Sequence, residues 1–595
     1  MHMSVLEQFV LIIFLGTIAQ WVAWRIKIPS ILLLLALGVL FGPVLGIINP
    51  EQIFAHLLMP LVAFSLAIIL FEGGLNLRFS ELKKSGSVIF NLIIVSTMVS
   101  WLLNTMAALW ILKFNLTLAL LLGALMVVTG PTVILPMLRL IKPTNRVASI
   151  LKWEGIVNDP LGAVLSVLVF EAALTSGLKA VGSLFLIGIL KTIFIGGGLG
   201  LVVALVLIWL LKKHLIPDFL QNSVVMMSVV LAFACSNHFQ SESGLLAVTV
   251  LGILLGNQRV APIQHVIDFK ESLQVILIAC LFVTMSARLN LEEIRTVQYE
   301  GILFVIFLIF VSRPISVFVG TIKQSLTWSE RLLIAFMAPR GIVAGAVSVV
   351  FALELANHGI EDAGRLVPIT FMVIMGTVTF YGLLSKPLAV FLKLACPNPQ
   401  GLLILGCHRW GRTLAKILQR EGIEVILVDS NQSHVNKARL AGLIAYNGNI
   451  LAESFLEKMS LSNIGYFLAL TENDNVNTLS TLHTSYIFNR SAVFQLAPDK
   501  FVSDKEAAVK FKARVLFQEN LTYTSFTSCL RNGGQIKKIH LSDEFPFTAF
   551  TEYHGASAIA LFILDKNGRV QIISTDQKSN PQSGDILFYL NLPPH

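Results

Sequence analysis

The sequence predicts a polytopic α-helical membrane protein of about thirteen spans, with inverted repeats and broken helices, followed by a C-terminal α/β part and a small α+β domain. Three observations predict it. Of 595 residues, 55% are hydrophobic and only 13% charged, and that average hides a split. From Val5 to about Leu394, apolar runs long enough to cross a bilayer follow one another with short polar breaks; from about Pro397 onward, charges and amides return to soluble levels. Finally, proline and glycine interrupt two of the spans, at Gly130-Pro131 and at Pro339-Arg340-Gly341. The expected parts are 1–396 in the membrane, 397–530 as the α/β domain and 531–595 as the small domain.

The spans centre on Phe14, Leu37, Ala67, Thr97, Leu125, Leu161, Gly197, Val229, Leu251, Ile278, Phe307, Val343 and Met375. The first is no cleaved signal, because its n-region lacks positive charge and the apolar run is too long. Alternate loops hold Arg25 and Lys27; Arg78, Lys83 and Lys84; Arg139, Lys142 and Arg146; Lys212 and Lys213; Arg259 and Lys270; Lys323 and Arg331. The opposite loops hold only Lys113, Lys179, Arg288, Arg295 and Arg365. By the positive-inside rule the first set is cytoplasmic, the N-terminus lies outside and the soluble part inside; the expected location is the cytoplasmic membrane of a bacterium. Membrane loops account for much of the net charge of +9, so no nucleic-acid partner is expected. Cys235, Cys280, Cys396, Cys407 and Cys529 are scattered without metal spacing.

The chemistry centres on Glu154-Gly155-Ile156-Val157-Asn158-Asp159, inside an apolar run from about Ala148 to Leu174. Ionisable side chains at membrane depth are costly, so they mark function by default. Glu154 and Asn158 share a helix face and Asp159 is the next residue round. A carboxylate beside an amide oxygen suits a small cation or a proton. The plainer reading is a polar cluster that holds helices together.

If spans 1–6 repeat as spans 8–13, the breaks at Gly130-Pro131 and Pro339-Gly341 correspond. Paired interrupted helices point to a transporter's binding site, since unwound backbone is tolerated only beside protein or water. Arg340, in the second break, cannot lose its proton and needs an anion if buried; Glu154 is the candidate partner, leaving Asp159 free. Otherwise Arg340 reaches the cytoplasmic edge. Glu72 is either a cation ligand or an interfacial carboxylate. Arg313 and Lys386, each before a proline, read as anchors at the inner interface.

Four motifs in order, Phe71-Glu72-Gly73-Gly74, Thr129-Gly130-Pro131-Thr132, Glu154-Gly155-x-x-Asn158-Asp159-Pro160 and Pro339-Arg340-Gly341, resemble the monovalent cation:proton antiporters of the NhaP-type branch. The resemblance covers about Val5 to Leu394. It implies a homodimer with an interface domain and a moving six-helix core domain. It also implies that Asp159 binds Na⁺, K⁺ or a proton, with Asn158, Thr129 and Glu72 nearby. Asn158, where the electrogenic branch has a second aspartate, points to electroneutral exchange. Gly130 and Gly155 stand where many relatives have oxygen ligands, so the ion preference stays open.

In the soluble part, Gly401 to Gly406 reads as a short buried strand leading through Cys407-His408-Arg409-Trp410-Gly411 into a helix. A second strand, Glu424 to Val428, ends at Asp429. This is the outline of a Rossmann fingerprint: Gly406 and Gly411 turn the chain and admit phosphate, and Asp429 faces ribose. His408 replaces the middle glycine, which predicts weakened binding of NAD(H) or an adenine nucleotide, with the imidazole donating to a phosphate. Further strands at Leu443 to Tyr446 and Tyr466 to Leu470, and the turn Thr471 to Asn475, resemble a TrkA-N, or RCK, domain. Gly533 to Leu592, with Gly584-Asp585-Ile586-Leu587, resembles the smaller TrkA-C domain. Such domains pair and gate attached transporters, and no cofactor is required for transport.

The function expected is a secondary antiporter, not an enzyme, in which one carboxylate, Asp159, holds either a cation or a proton. The rivals are a ligand-gated potassium efflux system of Kef type, against which Asn158-Asp159 argues; an RCK-gated channel, which lacks a filter loop such as Thr-Val-Gly-Tyr-Gly; and a membrane-anchored oxidoreductase, for which no catalytic partner lies near the fingerprint.

Overall fold

The computed structural model describes residues 3–595 apart from 175–186, 189, 259, 261–263, 359, 361, 396–398, 453–454, 456–458, 460, 462, 486, 489, 500–512, 567, 578–580 and 593–595, and apart from the side chains of 56, 84, 173–174, 264–272 and 556. Lys179, Arg259 and Cys396, and the side chains of Lys84 and Lys270, therefore lie outside the described residues. The chain divides into two compact units, Met1–Pro397 and Asn398–His595.

Among the described residues the first unit is built from helices, and every expected span centre falls in one. Among the described residues, eight helices are long and apolar enough to cross a membrane, including Val5–Ile26, Leu58–Leu75, Asn145–Ala172 and Ala363–Phe391. The remaining expected spans are shorter apolar helices, such as Ser30–Val44, Ser243–Asn257 and Ile342–Asn357. Their ends are set locally. Ser4 and Glu7 form a capping box on Val5–Ile26, Asn115 caps Leu116–Leu125, and Thr327 with Glu330 caps Trp328–Ala335.

Both expected breaks are present. The fifth span stops at Leu125, runs unwound to Gly130 and restarts as Pro131–Ile141, with proline in the first turn where its missing N–H costs nothing. The twelfth stops at Ala335, runs unwound to Gly341 and restarts as Ile342–Asn357. The two unwound stretches cross at their glycines: a Cβ on Gly130 would lie 2.6 Å from the Gly341 Cα, and one on Gly341 would lie 2.6 Å from the Gly130 Cα. Small residues serve the same end elsewhere. A Cβ on Gly252 would lie 2.3 Å from the Phe71 carbonyl oxygen, so Leu58–Leu75 and Ser243–Asn257 pack backbone to backbone.

In the second unit, β1 (Gly401–Leu405), β2 (Val425–Asp429), β3 (Ile444–Asn447), β4 (Ile464–Ala469), β5 (Val493–Gln495) and β6 (Arg514–Val515) form a parallel sheet in the order β3-β2-β1-β4-β5-β6. This is the doubly wound order, and β1 is buried at every position, as a strand covered on both faces must be. A four-stranded antiparallel sheet follows, ordered β7-β10-β8-β9, from β7 (Gln535–His540), β8 (Ala558–Leu564), β9 (Val570–Ile572) and β10 (Ile586–Asn591). The helix Tyr523–Arg531 ends between the two sheets in sequence. One apolar core joins them, with Leu414, Leu427 and Phe494 packed in the same cluster as Phe562, Phe588 and Leu590. Arg514 adds a polar tie: its Nε donates to Asp576 at 2.8 Å, its other nitrogens donate to Ser491, Ser574 and Gln577, and its guanidinium sits 4.8 Å from the Phe494 ring centroid.

Candidate functional site

Asn145–Leu174 carries Glu154, Asn158 and Asp159 past the crossing of the broken helices. On this helix Gly155 faces Ile134, and a Cβ on Gly162 would lie 3.0 Å from the Val128 backbone nitrogen. Asp159 lies between those two contacts, so its carboxylate stands at the level of the break; a Cβ on Gly341 would meet its Oδ1 at 3.9 Å. Asp159 is 1% exposed, and neither of its oxygens has a hydrogen-bond partner. The Oδ1 of Asn158 and the Oγ1 atoms of Thr129 and Thr132 are likewise buried without partners. Buried polar groups are ordinarily satisfied, so a knot of bare oxygens at a helix break needs a ligand to explain it. Pro160 adds a further oxygen: it has no N–H, so the Ile156 carbonyl one turn back loses its helical donor. Glu72 is buried on Leu58–Leu75 beside Gly73, which packs on Ile156 and Pro131. The structure thus brings Asp159, Asn158, Thr129 and Glu72 to one region, with Gly130, Pro131, Pro339 and Gly341 as its frame. Thr132, absent from the expected set, belongs with them; its signal was the second threonine of Thr129-Gly130-Pro131-Thr132.

The expected Glu154–Arg340 pair is not formed. Glu154 is taken by Arg313, whose Nη1 donates to Oε1 at 2.5 Å and whose Nη2 donates to Oε2 at 2.9 Å and to the Ile334 carbonyl at 3.2 Å. Nor is Arg313 an interfacial anchor, being only 4% exposed. Arg340 is equally buried, but its Nη1 donates to the Val127 carbonyl at 3.2 Å. The physical reason lies at the break. A half-helix ending at Leu125 presents unpaired carbonyls and the negative end of its dipole, and these take up Arg340. Arg313 meets Glu154 as a two-toothed fork, the stronger geometry. A cation inside the apolar eleventh span was the available signal. Asn104 was also missed: it accepts from Ser312 at 2.5 Å and donates to the Met126 carbonyl at 3.4 Å, bracing the same break.

Residues 10–391 match the family model of the sodium/hydrogen exchanger, transmembrane. The chain belongs to the sodium/hydrogen exchanger family. It is 27% identical over 415 residues to the Na(+)/H(+) antiporter 1 of Methanocaldococcus jannaschii, covering 66% of this chain and 94% of that one. It is 25% identical over 393 residues to the K(+)/H(+) antiporter NhaP of Alkalimonas amylolytica, covering 65% of this chain and 66% of that one. Among solved structures, the sodium proton antiporter MjNhaP1 from Methanocaldococcus jannaschii at pH 8 superimposes with a TM-score of 0.56 at 25% identity, covering 65% of this chain and 98% of that one. The broken-helix site of the exchanger region lies wholly within the matched residues.

Residues 402–499 match the TrkA-N domain model, a nucleotide-binding-like fold. The four fingerprint residues do come together. Gly406 has φ of +122°, a conformation that favours glycine, and it turns the chain from β1 into the loop. His408 caps the helix Arg409–Arg420: its Nδ1 accepts from the Gly411 N–H at 3.2 Å and its Nε2 donates to the Leu470 carbonyl at 2.7 Å. The imidazole therefore has no proton to offer a phosphate, contrary to expectation. Burial pushes its pKa down to about 4, so the ring is neutral. The Asp429 carboxylate accepts from the Cys407 N–H and the Asn431 N–H, each at 2.8 Å, and faces His434 Nδ1 at 3.2 Å. Burial, with the Asp429 carboxylate second, pushes the Cys407 thiol up to about 12 and leaves it inert.

Proposed function

We propose that this chain is a secondary antiporter that exchanges Na⁺ or K⁺ for H⁺, one for one, across the cytoplasmic membrane of a bacterium. The observation that carries this reading is the Asp159 carboxylate, buried with both oxygens unpartnered where the two unwound stretches cross. One carboxylate cannot hold a cation and a proton together, so each load excludes the other. Thr129, Asn158 and Thr132 contribute neutral oxygens, and Glu72 a second carboxylate, to a hard-oxygen shell. Glu154 with Arg313, and Arg340 on the Val127 carbonyl, hold the frame and carry no load.

The working unit is a homodimer in lipid, with the N-terminus outside and the soluble unit inside. Its parts are the exchanger region at 1–396, the TrkA-N domain at 397–530 and the TrkA-C-like domain at 531–595. The soluble unit regulates exchange by pairing with that of the second copy.

The test is proton-gradient dissipation in everted vesicles, adding sodium or potassium separately. Either cation should collapse the gradient with the native protein and neither with Asp159→Asn, which keeps the side chain's size but cannot titrate. Cation-dependent proton movement by that variant, at normal expression, would remove Asp159 from the mechanism.

A further inference from the structure

The strand order of the parallel sheet places a dinucleotide's pyrophosphate at the loop between β1 and the helix Arg409–Arg420, against the first N–H groups of that helix. In this chain the loop is filled by its own side chains. The Gly411 N–H, which would face the phosphate, is spent on His408 Nδ1. The other ring nitrogen is spent on Leu470, just beyond β4. The ring is also held from the outside: its centroid lies 4.3 Å from Trp410 and 5.2 Å from Tyr523, on the helix Tyr523–Arg531.

The glycines do not hold space open. A Cβ on Gly406 would lie 2.9 Å from His408 Nε2, and one on Gly411 would lie 2.4 Å from the Gly406 carbonyl oxygen. Both are small because the loop folds onto itself. At the ribose position, Asp429 already accepts from the Cys407 and Asn431 N–H groups, one on each oxygen. A nucleotide would have to displace a capped helix end, a hydrogen bond to Leu470 and an aromatic stack together.

We infer that His408 stands in place of the pyrophosphate and closes the TrkA-N domain to nucleotide phosphates, turning the glycine loop into a joint between β4 and the helix Tyr523–Arg531. His408 is thus the residue that decides ligand specificity here, by excluding the ligand the fold would otherwise take.

The experiment is calorimetry on the full chain in detergent with NADH, ATP, ADP and AMP. The native protein should give no saturable heat with any of them. His408→Gly should bind at least one saturably, and adding Asp429→Ala should abolish that binding. His408→Ala is the second variant, read the same way if the glycine variant does not fold. A native protein that binds one of the four, with binding lost in Asp429→Ala, overturns the inference. So does a folded His408→Gly or His408→Ala that binds none. A measurement on the native chain stands beside these: hydrogen exchange across 405–415 should be unchanged by saturating NADH or ATP, and added protection from either would show the loop open to nucleotide.

Discussion

The Glu154–Arg313 pair turns on single side chains. Both residues are almost wholly buried, and each satisfies the other through two hydrogen bonds. Removing one partner strands a buried charge, typically at a cost of about 3–5 kcal/mol. Glu154→Gln and Arg313→Ala should each lower the melting temperature strongly, and the double variant should lose less than the sum. Arg340→Ala combined with Glu154→Gln should show much weaker coupling than the Glu154–Arg313 pair, because Arg340 rests on a carbonyl. Strong coupling between Glu154 and Arg340 would contradict the geometry. His408 carries a pH prediction. Its folded pKa of about 4 lies below the ordinary 6.5. Between those values the folded loop binds fewer protons than the unfolded one. The stability from neutral His408 is therefore fully present above about pH 6.5 and is lost as the pH falls toward 4, to a limit of about 3 kcal/mol. Hydrogen exchange across the loop, corrected for intrinsic rates, should show protection falling from pH 7 to pH 5. His408→Asn should not share that loss; if it does, another group is titrating.

At the scale of elements, the broken helices depend on the contact between Gly130 and Gly341. A Cβ on either meets backbone, which cannot rotate away, whereas a Cβ on Gly155 meets the Ile134 side chain at 3.2 Å. Gly341→Ala should part the two unwound stretches and reduce cation-driven proton movement by about tenfold or more, since small misplacements at a reacting centre are expensive. Gly155→Ala should be milder, because its Cβ would meet a side chain and not backbone. Equal rates for both variants at equal expression would mean that the crossing is not what places Asp159. The breaks were readable because proline and glycine have specific backbone consequences. The π-helical turns at Leu92–Ser96 and Leu308–Ser312, in spans the proposed repeat would pair, left no such trace.

For the whole molecule, the proposed exchange moves one positive charge each way. Asn158 cannot carry a second proton, so Asp159 alone changes its load. In proteoliposomes with fixed cation and pH gradients, an imposed membrane potential should leave the initial rate unchanged. A clear dependence on potential would mean that a second group moves charge, the buried Glu72 being the first suspect.

Hydropathy runs and punctuating Pro and Gly residues sufficed to read the span centres, both breaks and the Asp159 neighbourhood. The glycine turn and strand spacing sufficed for the first strands of the parallel sheet. These are local properties, since bilayer thickness and backbone sterics act on a few consecutive residues. Pairing is not local. Two buried arginines, Arg313 and Arg340, were available to Glu154, and the Val127 carbonyl just past the half-helix end took up Arg340. His408 likewise read as a substitution at a phosphate site. Leu470 and Tyr523, distant in sequence, make it a plug. Which buried charge finds which partner is settled by three-dimensional proximity, because a low-dielectric interior rewards the best geometry available and sequence spacing does not encode it.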